Sequence, residues 1–95
     1  MSEDITTMNI RIEGGVQGCG FRDFAVREAN ALKLKGWVRN RADGSVEAVA
    51  SGPTKVVEEF IAKCMKGPPG AHVTAVNLEQ VDAPESLGFI RRPSV

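Results

Sequence analysis

Residues 7–33 have the sequence TMNIRIEGGVQGCGFRDFAVREANALK, in which three local patterns follow one another. Apolar and polar residues alternate over residues 7–13, which predicts a half-buried strand because successive strand side chains point to opposite faces. Residues 14–20 contain four glycines and predict a tight loop, since glycine adopts backbone angles that other residues avoid. Apolar residues three and four positions apart then predict an amphipathic helix from residue 21 to about residue 35, ended by Gly36.

The rest of the chain predicts a β-hairpin, a second helix and further strands. The hairpin turns at Ala42-Asp43-Gly44, because an Asp-Gly pair favours a tight turn between two strands. Thr54 is the expected N-cap of the second helix, and Gly67-Pro68-Pro69-Gly70 ends it. Strands are expected at residues 37–41, 45–51 and 73–81, with a short C-terminal edge strand at 88–92.

The resulting element order is βαββαβ, or the same order with the short extra edge strand. A strand–helix–strand crossover is right-handed in nearly all proteins, so both helices fall on one face of a single sheet. This predicts an α+β fold, a ferredoxin-like α/β sandwich. Because that architecture carries enzymes, RNA binders and regulatory domains, the fold alone does not decide the function.

The length and composition are those of one compact domain. The 95 residues include 42% hydrophobic and 25% charged residues, which is ordinary for a globular protein. We expect a single domain over residues 1–95, with residues 1–6 as a flexible N-terminal tail. Twelve Lys+Arg balance twelve Asp+Glu, which leaves no broad basic field for nucleic acid, and no apolar run approaches the length of a membrane helix. A cytoplasmic monomer with neither a nucleic-acid nor a membrane partner is expected.

Few side chains are suited to hold a metal. The chain has two cysteines, Cys19 and Cys64, and one histidine, His72, too few and too scattered for a metal-binding motif. We therefore expect no metal and no cofactor, and we place His72 on the surface. Both cysteines are expected to be free, because helices running parallel would separate them by about 18 Å, far more than a disulfide spans.

The glycine loop is a candidate anion site. A loop that leads from a strand into a helix aims backbone N–H groups at one point, where the helix dipole adds positive potential. Arg22 stands in the first helical turn, where a cation is disfavoured unless an anion binds nearby. The alternative is that the glycines only form a sharp turn and that Arg22 points into water. Asp23 suits the dipole, but it would repel a phosphate dianion if its side chain turned inward.

Asn40 is a candidate for orienting a water molecule. It lies about 13 Å along its strand, so it can reach the sheet end where the glycine loop opens. Its amide offers one acceptor and two donors without carrying a charge. For an isolated asparagine, pairing with nearby backbone is the more frequent role.

Two segments together resemble the two signature motifs of the acylphosphatase family. They are GGVQGCGFR at residues 14–22 and GWVRNRADGSVE at residues 36–47. The similarity continues through Gly52-Pro53, CMKGP at residues 64–68 and GFI at residues 88–90, and so covers nearly the whole chain.

The resemblance implies a ferredoxin-like sandwich that hydrolyses acyl phosphates to a carboxylate and inorganic phosphate. It also implies that Arg22 and the loop backbone hold the phosphate, while Asn40 positions the attacking water. The loop residues concerned are Gly15, Val16, Gln17, Gly18, Cys19 and Gly20. Two of them depart from the family's pattern: Cys19 stands where valine is usual, and Gly15 where a larger, frequently basic residue is common.

Three other interpretations are open. Cys19, beside the helix N-terminus and Arg22, could act as a thiolate nucleophile, although a replacement for a small apolar loop residue is the simpler interpretation. An accessory domain that binds phosphate without turnover would keep the fold, but the presence of both Arg22 and Asn40 argues against it. A nucleic-acid-binding module would need exposed aromatic residues on its strands, and this chain offers only Trp37 and Phe89.

Overall fold

The computed structural model describes residues 4–95 and confirms the order of strands and helices expected from the sequence. The elements are β1 (Ile5–Gly15), α1 (Phe21–Ala31), β2 (Lys35–Asn40), β3 (Val46–Pro53), α2 (Thr54–Lys66), β4 (His72–Gln80) and β5 (Phe89–Arg91). Residues 5 and 6 belong to β1, so the flexible tail expected for residues 1–6 is wrong at these two positions. The part of that expectation that concerns residues 1–3 lies outside the described residues.

The five strands form one sheet in the order β4-β1-β3-β2-β5. Neighbouring strands are antiparallel except for β2 and β5, which are parallel. Strands β1 and β2 both run opposite to β3, so α1 connects two parallel strands, and α2 does the same between β3 and β4. The ferredoxin-like arrangement and the short fifth strand at the edge are thereby confirmed.

The hydrophobic core lies between the sheet and the two helices. Alternate residues of the strands, such as Ile10, Ile12 and Val46, are fully buried on this side. The helices contribute residues at spacings of three and four, which are Phe21, Ala25 and Ala29 from α1 and Val57, Phe60 and Cys64 from α2. The helix-free side of the sheet instead carries polar side chains, with Glu47 among those that are buried.

Helix α1 ends at Ala31, not near residue 35 as predicted. Lys33 adopts a left-handed φ of 61°, and Leu34 N donates a hydrogen bond to the carbonyl oxygen of Ala29 at 2.9 Å, which closes the helix without a glycine. Gly36 lies in β2 instead, at a φ of 142°, where a Cβ atom would be 1.7 Å from the carbonyl oxygen of Val49. Close strand pairing, not helix termination, therefore requires this glycine.

Helix α2 begins at Thr54, which is not the N-cap that the sequence suggested. Pro53 occupies the N-cap position and no side chain caps the helix. Thr54 Oγ1 lies 2.6 Å from Thr6 Oγ1 and 3.2 Å from the carbonyl oxygen of Asp4. The hydroxyl thus ties the start of β1 to the start of α2 rather than satisfying the helix's own N–H groups.

The two helices run antiparallel, which corrects the parallel arrangement assumed for the cysteines. Each helix runs opposite to the strand before it, and β1 and β3 are themselves antiparallel. The end of α2 therefore lies beside the start of α1, and a Cβ atom at Gly67 would be 3.0 Å from Phe21 Cε2. Cys19 and Cys64 are both free, as predicted, but the separation argument behind that prediction is wrong.

Candidate active site

A cavity of about 240 Å³ opens where the glycine loop, the first turn of α1 and the ends of β2 and β5 meet. It is lined by Val16, Gln17, Gly18, Gly20, Phe21, Arg22, Asp23, Asn40 and Arg91. The structure thus brings together Arg22 and Asn40, the two side chains singled out in the sequence. Of the six loop residues expected at the phosphate, Gly15 and Cys19 do not line the cavity.

The loop conformation depends on two glycines with left-handed backbone angles. Gly18 has a φ of 80° and Gly20 a φ of 79°, values that side chains disfavour. No heavy atom lies within 4 Å of a Cβ built at either position, so the backbone angle rather than space requires glycine here. Gly20 is the N-cap of α1, and its carbonyl oxygen accepts the helical hydrogen bond from Phe24 N at 3.0 Å.

Several loop amides are left as donors at the N-terminus of α1. Val16 N is occupied, because it donates to the carbonyl oxygen of Gly14 at 3.0 Å. Within residues 4–95, the amides of residues 17–20 donate to no backbone carbonyl. Together with the first-turn amides of α1 they form a group of N–H donors at the positive end of a helix, an arrangement suited to an oxyanion.

Gln17 anchors this loop to the turn between β2 and β3. Its Nε2 donates to the carbonyl oxygens of Arg41 at 2.8 Å and Ser45 at 2.9 Å. The loop and the end of β2, which carries Asn40, are therefore held together by one side chain. From the sequence, only the backbone of Gln17 was expected at the phosphate, because the partners of its side chain are 24 and 28 residues away in the chain.

Arg22 and Asn40 approach the cavity from different elements. Arg22 lies in the first turn of α1, directly after the buried Phe21, and Asn40 is the last residue of β2. Both side chains are partly buried. Within the part of the chain that the structure describes, Arg22 forms no ion pair. Its guanidinium is thus available to a bound anion.

Two charged residues at the cavity were not assigned to it from the sequence. Arg91 reaches the cavity because β5 runs parallel to β2 and pairs Arg91 with Val38, two residues before Asn40. Arg91 Nη1 lies 2.9 Å from Asp23 Oδ1, and both side chains are largely exposed. The ion pair joins residues 68 positions apart, which no local pattern could indicate.

A second charged cluster supports β2 from the helix-free side of the sheet. Glu47 accepts hydrogen bonds from Asn9 Nδ2 at 2.8 Å, Arg39 Nε at 2.9 Å and Arg41 Nη1 at 2.8 Å. Burial raises the pKa of the Glu47 carboxyl, but these three hydrogen-bond donors together leave that pKa below its usual value. The cluster connects to the cavity through Arg41, whose carbonyl oxygen holds Gln17.

The remaining chemically reactive side chains lie outside the cavity. His72 is exposed on β4, and Cys19 Sγ donates to the carbonyl oxygen of Val16 at 3.5 Å. Burial raises the pKa of the Cys64 thiol to about 12. Within residues 4–95, no three His, Cys, Asp or Glu side chains are grouped so that they could ligate a metal ion. No helix in the same range is long and apolar enough to cross a membrane.

Comparison with known proteins decides the family. The family model described as Acylphosphatase matches residues 8–90, which includes both motifs and the first two residues of β5. The chain belongs to the acylphosphatase family. The acylphosphatase of Rhizorhabdus wittichii is 47% identical over 92 residues, covering 97% of this chain and 93% of that protein. The resemblance inferred from the two motifs is confirmed.

Solved acylphosphatase structures share the fold over nearly their whole length. The acylphosphatase from Coxiella burnetii superimposes with a TM-score of 0.88 at 34% identity, covering 93% of each chain. The acylphosphatase from Bacillus subtilis gives a TM-score of 0.87 at 36% identity, covering 94% of this chain and 99% of that one. The cavity described above therefore lies in a fold that this chain shares with solved acylphosphatases.

Proposed function

We propose that this acylphosphatase hydrolyses acyl phosphates at the cavity, with Arg22 and the loop amides binding the phosphate and Asn40 orienting the attacking water. One observation carries the proposal: the glycine loop with Arg22 and, from a separate segment, Asn40 line a single cavity. A cationic guanidinium, a group of N–H donors and a neutral amide are the groups that phosphate binding and water positioning need.

The chemistry is a displacement at phosphorus. The water oxygen forms a bond to phosphorus as the bond from phosphorus to the acyl oxygen breaks, and the carboxylate leaves with the electron pair. Arg22 and the amides stabilise the charge on the three peripheral phosphate oxygens as it redistributes in the transition state. The proton of the water passes to the substrate's own phosphate. The products are a carboxylate and inorganic phosphate.

This scheme uses no acid–base pair from the protein. A carboxylate is a good leaving group, so positioning and charge stabilisation can carry most of the acceleration. An alkyl phosphate ester releases an alkoxide, which needs a proton from a general acid. Acyl phosphates should therefore be hydrolysed much faster than alkyl esters. We expect the same activity in the presence of EDTA, because no step is routed through a metal.

Substitution of Arg22 and Asn40 separates binding from turnover. Arg22 contacts the phosphate in both ground and transition states, so Arg22→Ala should weaken competitive inhibition by inorganic phosphate and lower kcat. Arg22→Lys should also be poor, since a point charge cannot reproduce the planar guanidinium. Asn40→Ala should lower kcat by roughly 10² while inorganic phosphate still binds.

The assay measures phosphate release from benzoyl phosphate, with an alkyl phosphate for comparison and EDTA in the buffer. Circular dichroism and melting of each variant check that the fold survives. Near-full turnover by Asn40→Ala, or a loss of phosphate affinity as large as that of Arg22→Ala, would contradict the division of roles. Loss of wild-type activity in EDTA, restored by one particular metal, would contradict the metal-free scheme.

We also propose that the enzyme is a cytoplasmic monomer without a nucleic-acid partner. The proposed chemistry uses only Arg22, Asn40 and the loop amides and needs no residue from a second copy, so we propose that a monomer acts on a small molecule. Light scattering at assay concentrations tests the monomer, and fractionation of cells that contain the protein tests a cytoplasmic location. The balanced charge of the chain supports the absence of a nucleic-acid partner, which a gel-shift measurement with single-stranded RNA tests directly.

A further inference from the structure

Arg91 is a second cation at the cavity, in addition to Arg22, and the proposed phosphate binding does not use it. It comes from β5 at the edge of the sheet, whereas Arg22 comes from α1 and the amides from the loop. The Arg91 side chain is 51% exposed and that of Asp23 is 73% exposed, while Arg22 and Asn40 are partly buried. Arg91 and Asp23 therefore lie at the rim of the cavity, outside the groups assigned to the phosphate.

The cavity has room for more than a phosphate group. A volume of about 240 Å³ corresponds to roughly eight water molecules at about 30 Å³ each. In the proposed binding, a phosphate lies against Arg22 and the loop amides, so the acyl group of a bound substrate extends into the rest of the cavity, toward the rim. The residues that meet the acyl group there are charged, because Asp23 and Arg91 both line the cavity.

The ion pair between Arg91 and Asp23 is easily exchanged. Two side chains this exposed gain little from pairing, because water solvates each of them almost as well as the partner does. A second anionic group on the substrate can therefore take the Arg91 guanidinium from Asp23, whose carboxylate returns to water. A neutral acyl group offers nothing to Arg91, which then stays paired with Asp23.

We propose that Arg91 is a specificity-determining residue that favours acyl phosphates whose acyl group carries a second anionic group, such as a carboxylate. The inference rests on the proposed hydrolysis of acyl phosphates and names the substrate class within it. Asp23 holds Arg91 at the rim in the free enzyme and competes with the substrate carboxylate for it. Arg91 acts on the choice of substrate, not on the bond that breaks.

The test compares benzoyl phosphate with 3-carboxybenzoyl and 4-carboxybenzoyl phosphate, which share a rigid ring and differ in one carboxylate. Arg91→Gln should lower the ratio of kcat/KM for the better carboxylated substrate to that for benzoyl phosphate by about fivefold, the effect of one exposed charge pair. Dividing the ratio for the variant by the ratio for wild type cancels the difference in intrinsic reactivity between the two substrates. Asp23→Asn should raise the same ratio, and only while Arg91 is present.

Arg92→Gln is the matched control. Arg92 is the next residue in the chain, and its replacement by glutamine removes the same charge. Its guanidinium lies 5.0 Å from the ring centroid of Trp37, and Arg92 does not line the cavity. Its substrate ratio should stay within about twofold of wild type. An unchanged ratio in Arg91→Gln, or an equal fall in Arg92→Gln, would overturn the inference while wild-type hydrolysis of benzoyl phosphate upheld the proposed function. A wild-type protein that hydrolysed none of the three substrates would overturn both.

Discussion

The carboxylate of Glu47 should stabilise the fold more than any surface ion pair, and Glu47→Gln removes its charge with little change of shape. The side chain is only 8% exposed. Its Oε1 accepts hydrogen bonds from Arg39 Nε at 2.9 Å and Arg41 Nη1 at 2.8 Å, and Arg39 Nη2 lies 2.8 Å from the same oxygen. Both arginines bind the same oxygen, Oε1, so a glutamine that keeps its oxygen there loses the negative charge and turns its N–H₂ group toward another donor, Asn9 Nδ2. The charge-assisted bonds to the carboxylate are therefore weakened together.

The expected loss is about 2–3 kcal/mol in the free energy of unfolding at pH 7. A hydrogen bond to a charged group contributes roughly 1.5–3 kcal/mol. The loss stays below the sum over these bonds, because a glutamine keeps one acceptor oxygen and because the two arginines are 25% and 28% exposed, so water replaces part of what they lose. Urea unfolding followed by circular dichroism measures the loss. Glu58→Gln, at an exposed position on α2, is the control and should change the stability by less than about 0.5 kcal/mol.

The loss should also depend on pH in a defined direction. The pKa of Glu47 is lower in the folded protein than its ordinary value of 4.5, so the folded state favours the charged carboxylate. The stabilisation is complete above about pH 4.5 and disappears as the pH falls through the folded-state pKa. The difference between wild type and Glu47→Gln should therefore be full at pH 7 and should shrink as the pH falls below 4.5. A variant within about 0.5 kcal/mol of wild type at pH 7, or a difference that stays constant as the pH is lowered, would refute this account of the cluster.

Two further predictions concern Gly36 and the thiols. Gly36→Ala should destabilise the protein by at least about 3 kcal/mol in urea unfolding, because the new Cβ would lie 1.7 Å from the carbonyl oxygen of Val49. Gly44→Ala, at a φ of 92° with open space around it, should cost only about 1–2 kcal/mol, and equal losses would mean that the contact is not the cause. A thiol reagent at pH 8 should modify Cys19 in the native protein and Cys64 only after unfolding, since burial raises the pKa of Cys64 to about 12. Equal native rates for the two cysteines would show that α2 opens readily.

Much of the fold was predictable because periodicity is a local property. The alternation over residues 7–13 and the three-and-four spacing after Phe21 each depend on which face of one element is buried. The ends of the helices and strands were less predictable where one residue type serves two purposes. A glycine after a helical pattern, such as Gly36, usually indicates the end of the helix, yet here close contact with β3 requires the glycine. Lys33, with its left-handed backbone, ends α1 although a lysine gives no such signal.

The sequence by itself determined the order of strands and helices, the glycine loop, and Arg22 and Asn40 as candidate site residues. Each of these depends on spacing within a short stretch or on two motifs in succession. Only the tertiary structure decided that the helices run antiparallel, that Gln17 ties the loop to the β2–β3 turn, and that Arg91 meets Asp23 at the cavity. These depend on strand order and register, which pair residues far apart in the chain, so no local pattern in the sequence carries them.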